Sequence, residues 1–232
     1  MNYKRYAIYY APEDQSELGK FGNHWLGRNP TTKSILSYPD IKNISPAQIK
    51  EITLSPSRYG FHGTLKPPFI LEDGFNFSDF ESKTLEYARQ IKPFNIGTLK
   101  LARIGKFLAL IPATKSEALY DLAAKLVENL DIFRKAASED EINKRRVAGL
   151  SNRQDVLLLK WGYPYVFEEF RFHLTLTDKL DENRLNWLEP ILSNYLEPLT
   201  TAPIKIENIC IFGDPGNGGA FDLLKRIKLG GV

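Results

Sequence analysis

Arg58-Tyr59-Gly60-Phe61-His62-Gly63-Thr64-Leu65-Lys66 and Glu169-Phe170-Arg171-Phe172-His173-Leu174-Thr175-Leu176-Thr177 are two stretches of one design. Each sets a histidine two residues before a threonine and follows the threonine with leucine. Successive side chains of an extended strand turn to opposite faces. In the second stretch Phe170, Phe172, Leu174 and Leu176 therefore share one face, and Arg171, His173, Thr175 and Thr177 share the other. In the first, Tyr59, Phe61 and Leu65 share a face on which Gly63 leaves a gap, while Gly60, His62, Thr64 and Lys66 form a polar row. A strand buried on both sides would not carry such a row, but a strand between a core and a cleft would.

Outward from these motifs, helical and extended patterns alternate. Residues 4–11 read as a strand and 16–27 as a helix with Leu18, Phe21, Trp25 and Leu26 on one stripe. A loop-like stretch, 30–57, contains Ser45-Pro46, which can open a short helix through Ile52. The strand at 58–66 is expected to end at Pro67-Pro68. A helix is expected at 78–91, a hairpin at 99–111 around Gly105-Lys106, and a helix capped by Ser116 running to about Ala137. Residues 139–161 read as one helical segment, 169–177 as a strand, and Asp181 as the cap of a helix to about Leu196 with Pro198 beyond it. Strands at 203–213 and 220–229 flank the turn Asp214-Pro215-Gly216-Asn217-Gly218-Gly219, which lacks the Gly-Lys-Ser/Thr ending of a phosphate-cradling loop. The class expected is α+β with mainly antiparallel sheet. Each half of the chain carries a helix, a His/Thr strand, a helix and a hairpin, so the halves are expected to close on a shared cleft. No linker divides residues 1–232, which read as a single domain.

The bulk properties set outer limits. A 232-residue chain with 43% apolar and 25% charged residues can bury a substantial core. Its net charge of +3 suits an anionic ligand without demanding one, and its densest basic run, Lys144-Arg145-Arg146, reads as a solvated helix face rather than a nucleic-acid stripe. The lone Cys210 excludes an internal disulfide and reads as a buried thiol. No apolar run approaches the roughly 18 residues a membrane span needs, and the N-terminus lacks a secretory pattern, so a cytoplasmic location and no membrane partner are expected. His-x-x-x-His, His-Glu-x-x-His and paired cysteines are all absent, so neither a metal site nor any other cofactor is expected.

Two histidines can supply a base and an acid near neutral pH. Opening a cyclic phosphodiester needs both, because water must lose a proton and the departing alkoxide must gain one. Thr64 and Thr175 can donate hydrogen bonds to the non-bridging oxygens, and Lys66 and Arg171 can offset their charge. Tyr163 and Tyr165, after a Gly-Tyr-Pro break, can rim the cleft or pack between its walls. His24 lacks the motif and reads as an ordinary helix histidine.

The paired motifs resemble the two-histidine ("2H") phosphoesterase superfamily. That resemblance implies a bilobal fold of two pseudosymmetric, intertwined lobes, with outer helices around a central cleft. It also implies metal-independent action on cyclic phosphates, with His62 and His173 as acid and base and Thr64 and Thr175 as phosphate ligands. The longer strings, Phe21-Gly22 through Arg28, Arg58–Phe69, Trp161–Val166 and Glu168–Thr177, are similar to a bacterial branch labelled as phosphonate-metabolism proteins. By that association the substrate is a sugar or nucleotide cyclic phosphate, such as a ribosyl cyclic phosphate; the reading of the residues themselves adds Lys66, Arg171 and Tyr163 as substrate-binding residues. The protein is expected to act as a monomer on a small phosphate-containing substrate or on RNA ends. Two other readings use the same cleft: a non-catalytic RNA- or nucleotide-binding protein, and an enzyme joining RNA ends.

Overall fold

The computed structural model describes residues 3–147 and 149–230. Its strands are β1 (Arg5–Tyr10), β2 (Gly63–Phe69), β3 (Phe94–Asn95), β4 (Leu99–Ile104), β5 (Phe107–Pro112), β6 (Leu174–Thr175), β7 (Lys205–Ile206), β8 (Asn208–Asp214) and β9 (Asp222–Lys228). Its helices are α1 (Glu17–Trp25), α2 (Pro46–Ile52), α3 (Leu54–Tyr59), α4 (Phe77–Ala88), α5 (Glu117–Asn129), α6 (Glu139–Arg146), α7 (Asn152–Trp161) and α8 (Glu182–Thr200). The class is α+β, as the alternating patterns indicate.

Seven strands form one antiparallel sheet in the order β4-β5-β6-β2-β1-β8-β9, and β3 pairs with β7 apart from it. The chain crosses between the halves of this sheet. The β4–β5 hairpin follows the first motif yet lies beside the second, and the β8–β9 hairpin follows the second yet lies on the side of the first. Helix α4 packs on β8 and β9, and α8 packs on β4 and β5. The two motif strands meet at the centre, where Gly63 pairs with Leu174.

Most buried apolar side chains join one core, in which Ile8, Leu65, Ile209 and Ile211 of the sheet meet Trp25, Phe80, Leu126 and Leu188 of the helices. The intervening residues Ala7, Tyr9, Cys210 and Phe212 form a smaller cluster with Phe221, as strand alternation requires of the opposite face. The second motif strand is locked to the helices by a buried hydrogen bond, Trp25 Nε1 donating to the Leu176 carbonyl at 2.7 Å.

Several boundaries differ from the sequence reading. Arg58 and Tyr59 close helix α3, so the strand starts only at Gly63, and it continues through Pro67-Pro68 to Phe69. The prolines are accommodated because register shifts break the β1–β2 ladder, which runs Tyr6↔Phe69, Ile8↔Lys66 and Tyr9↔Thr64. The helix opened by Ser116 stops at Asn129, and residues 131–133 form a 3-10 turn. The segment 139–161 is two helices, because Ser151 starts a new one with its own capping box to Gln154. Residues 167–169 form another 3-10 turn, leaving only Leu174–Thr175 as strand. Beyond it the Leu176 amide donates to the Leu108 carbonyl at 2.9 Å, and the Thr177 hydroxyl accepts from the Leu108 amide at 3.0 Å. Helix α8 runs past Leu196 to Thr200, with Pro190 and Pro198 inside it.

Candidate active site

The site begins with one strand pair. Continuing the Gly63↔Leu174 register by one residue each way sets Thr64 beside His173 and His62 beside Thr175. Residues directly opposite in an antiparallel pair point to the same face. Four side chains thus form a rectangle at the centre of the sheet, with the two histidine Cβ atoms on a diagonal of about 7–8 Å. Each diagonal holds like residues, and each edge pairs a histidine with a threonine.

Both imidazoles are anchored alike. His62 Nδ1 lies 2.8 Å from the Gly60 carbonyl, and His173 Nδ1 lies 2.8 Å from the Arg171 carbonyl, each two residues earlier in the chain. A carbonyl can only accept, so Nδ1 carries the proton in each ring and the neutral Nε2 keeps a free lone pair. Thr64 Oγ1 sits 3.4 Å from His62 Nε2. The first anchor depends on Gly60, whose φ of +76° favours glycine and swings its carbonyl under the imidazole as the chain leaves α3. Gly63, the residue between His62 and Thr64, is equally constrained, because a Cβ there would stand 2.4 Å from the Phe172 ring. The gap on the apolar face of the first motif is therefore filled by the second motif.

The two rings differ in surroundings. Tyr9 stacks on His62 with centroids 3.9 Å apart, and Phe212 and Tyr59 stand beside it. Burial lowers the His62 pKa to about 4, against a partial rise from its Gly60 bond, and His173 nearby lowers it further. Beside His173 the neighbouring aromatic ring is Phe107, with centroids 5.7 Å apart. Its pKa is also lowered by burial, opposed by the bond to the Arg171 carbonyl.

Two cavities flank the rectangle. The larger, about 510 Å³, is lined by Thr64, Phe107, Tyr163, Tyr165, Arg171, His173 and Lys179, among others. The smaller, about 230 Å³, holds His62, Thr175, Tyr59 and Lys179. Tyr163 and Tyr165 meet edge to face at 5.5 Å, and Arg145 lies over the Tyr163 ring at 4.9 Å. The cavity wall also includes Phe167, a bulky residue held at φ +53° against Trp161.

Six of the seven site residues read from the sequence line these cavities: His62, Thr64, His173, Thr175, Arg171 and Tyr163. Lys66 does not, and its assignment to the substrate is corrected. It is 2% exposed, donates to the Val127 carbonyl at 3.1 Å, and pairs with Asp131 at 3.6 Å. The cause is the register shift between Thr64 and Lys66: Thr64 stands opposite Tyr9, whereas Lys66 stands opposite the core residue Ile8. A bulge reverses the alternation that would have kept Lys66 in the polar row.

Sequence reasoning missed Tyr9 and Lys179. Lys179 lines both cavities and has no carboxylate within ion-pair distance among the described residues. The row Arg171, His173, Thr175, Thr177 reaches it at the next step of two, so the signal was present. Arg145, read as part of a solvated face, instead backs the cavity wall. His24 is bonded through Nδ1 to the Ser37 carbonyl at 2.7 Å, remote from the rectangle in its contacts. Among the described residues no three His, Cys, Asp or Glu side chains are grouped as metal ligands would be, and no helix is long and apolar enough to cross a membrane.

A family model described as a protein of unknown function, DUF1045, matches residues 64–222, which include Thr64 and the whole second motif. The chain belongs to this family. Two curated relatives are both named ribose 1,5-bisphosphate phosphokinase PhnN. The one from Janthinobacterium sp. (strain Marseille) is 32% identical over 98% of this chain and 51% of its own length. The one from Laribacter hongkongensis (strain HLHK9) is 31% identical over 97% of this chain and 52% of its own. This member of DUF1045 thus spans about half the length of the curated relatives it matches. A solved structure described as a phosphoesterase aligns with 98% of this chain and 99% of its own at 13% identity, with a TM-score of 0.42, too distant to support a functional inference.

Proposed function

We propose that this protein is a two-histidine phosphoesterase that hydrolyses a cyclic phosphodiester on a sugar, without recruiting a metal to the reacting phosphate. The observation that carries the reading is the matched anchoring of His62 and His173 by backbone carbonyls, which leaves two Nε2 atoms and two threonines on one sheet face.

In this mechanism His62, already neutral near pH 7, takes a proton from water as the water oxygen bonds to phosphorus. The ring P–O bond opposite the water breaks. His173, protonated as the anionic substrate arrives, gives its Nε2 proton to the departing sugar oxygen. One water is consumed, and the products are a phosphomonoester and a free neighbouring hydroxyl. Thr64 and Thr175 donate to the non-bridging oxygens, and Lys179, which lines both cavities, balances their charge.

The relatives' name supports a ribosyl substrate. Breaking the P–O2 bond of a ribosyl 1,2-cyclic phosphate leaves phosphate on O1, a position in the compound for which those relatives are named. The association with phosphonate metabolism agrees with such a substrate. This chain has no Gly-Lys-Ser/Thr phosphate loop, so we assign the phosphokinase activity in the relatives' name to the part of them outside the match.

His62→Ala and His173→Ala are each expected to lower turnover of a cyclic phosphate about 10²–10⁴-fold while circular dichroism and thermal unfolding stay near wild type. Full activity in either variant would remove the assigned roles.

A further inference from the structure

The two halves of the site are unequal, and the difference traces to one residue. The motif strands β2 and β6 lie side by side, flanked by β1 on one side and β5 on the other. Tyr9 of β1 stands opposite Thr64, and Ala109 of β5 stands opposite Thr175. The two positions are therefore equivalent about the centre of the His/Thr rectangle. Residues opposite in a ladder share a face, so Tyr9 lies on the face of the rectangle, beside Thr64 and diagonal to His62.

Tyr9 is 1% exposed, and its ring stacks on the His62 imidazole at an interplanar angle of 25°. Phe212 of the next strand backs it at 5.0 Å, so the tyrosine ring is itself held. The Gly60 carbonyl grips the edge of the imidazole and Tyr9 covers its face, which leaves the ring no free torsion. The methyl group of Ala109 cannot stack on an imidazole. His173 keeps the edge contact, through the Arg171 carbonyl, but the Phe107 ring beside it is tilted by 50° and does not cover its face. The two histidines thus share one constraint, and His62 has a second.

A nitrogen that takes a proton must aim its lone pair at the attacking water, and small misplacements are costly in rate. A proton donor must follow a leaving oxygen as it moves away. The titratable and charged groups around His62 are Tyr9, Tyr59 at the end of α3, His173 across the rectangle, and Asp178 and Lys179 in the smaller cavity. Asp178 is taken by the Ser55 amide at 3.1 Å, so the imidazole is oriented by a carbonyl and a ring face and not by a carboxylate.

We propose that Tyr9 is a positioning residue: by covering one face of His62 and leaving its counterpart uncovered, it turns a symmetric pair of histidines into a fixed base and a freer acid. This rests on the two-histidine reading and adds to it a residue that neither motif contains.

The test follows the imidazole titrations of His62 and His173 by NMR in wild type, Tyr9→Ala and Tyr9→Phe, alongside turnover of ribosyl 1,2-cyclic phosphate and a 2′,3′-cyclic nucleotide. Tyr9→Ala gives His62 the neighbour that His173 has. It is expected to raise the proton affinity of His62 about tenfold or more, by letting water reach the ring, and to leave the His173 titration in place. The acid limb of kcat/KM should move up by the same amount, and kcat should fall about ten- to a hundredfold with KM near wild type. Tyr9→Phe keeps the ring and is expected to recover most of each effect. An unmoved His62 titration in Tyr9→Ala, equal shifts in both histidines, or a defect in Tyr9→Phe as large as in Tyr9→Ala overturns the proposal. Should Tyr9→Ala not fold, the carbon-bound ring protons of His62 in wild type and Tyr9→Phe decide: a stacked ring shifts them upfield of those of His173, and unshifted protons overturn the proposal. Absence of turnover in wild type overturns the hydrolytic reading instead, and the titrations, which need no substrate, still decide whether Tyr9 holds His62.

Discussion

His62 and His173 share a side chain, a backbone anchor and a neighbouring threonine, yet burial, with a further push from His173 nearby, lowers His62 to about 4, while burial alone lowers His173. In the proposed mechanism that inequality favours His62 as the base, a choice two symmetric motifs do not make. The base must be neutral, which His62 is above about pH 4. The acid must be protonated, and protonated His173 declines as pH rises through a value below the ordinary 6.5. The kcat/KM profile of the free enzyme is therefore expected to be a bell on the acid side of neutrality, with its lower limb near pH 4. A profile still climbing at pH 8 would contradict the need for a protonated His173.

Lys66 yields a stability prediction of its own. Burial lowers its pKa to about 8, despite the opposing pull of Asp131. The fold therefore binds this proton less tightly than the unfolded chain does, and the penalty is fully present below pH 8 and relieved as pH rises toward 10.5. Asp131 keeps Arg134 as a partner at 2.7 Å if the lysine is removed. Lys66→Met is thus expected to be neutral or to stabilise the protein by up to about 2 kcal/mol in urea unfolding at pH 7, with turnover retained. Loss of turnover comparable to His62→Ala would return Lys66 to the substrate.

Strand alternation made most of the site legible. It put His173, Thr175 and Arg171 on one face, and one further step would have found Lys179. It failed at Lys66 because a bulge is a feature of pairing with β1, and no property of residues 63–69 alone reveals where the partner slips. The prolines at 67–68 misled for the same reason: they end a regular ladder but fit an irregular one. Gly63 is the element-scale counterpart, an apparent gap that the other motif's Phe172 fills. Gly63→Ala is expected to cost about 1–3 kcal/mol by overpacking the β2–β6 contact, and Phe172→Leu in the same chain should recover part of it. Purely additive losses in that double-variant cycle would mean that the two motifs do not meet there.

At the scale of the molecule, the chain builds one site from two distant motifs by exchanging hairpins across a common sheet, so His62 and His173 become diagonal neighbours despite their separation in sequence. The repeat of helix, His/Thr strand, helix and hairpin was visible in the sequence. The exchange was not, because it depends on which half each hairpin joins. Such a site should work with its own side chains and should not need the rest of the longer relatives. The most direct measurement is hydrolysis of a panel of sugar and nucleotide cyclic phosphates by chelator-treated protein, with the His62→Ala/His173→Ala double variant as the blank. The account expects at least one member to be opened to its phosphomonoester by wild type and not by the variant, undiminished by the chelator. Hydrolysis that disappears with chelation, or that persists in the double variant, would contradict it.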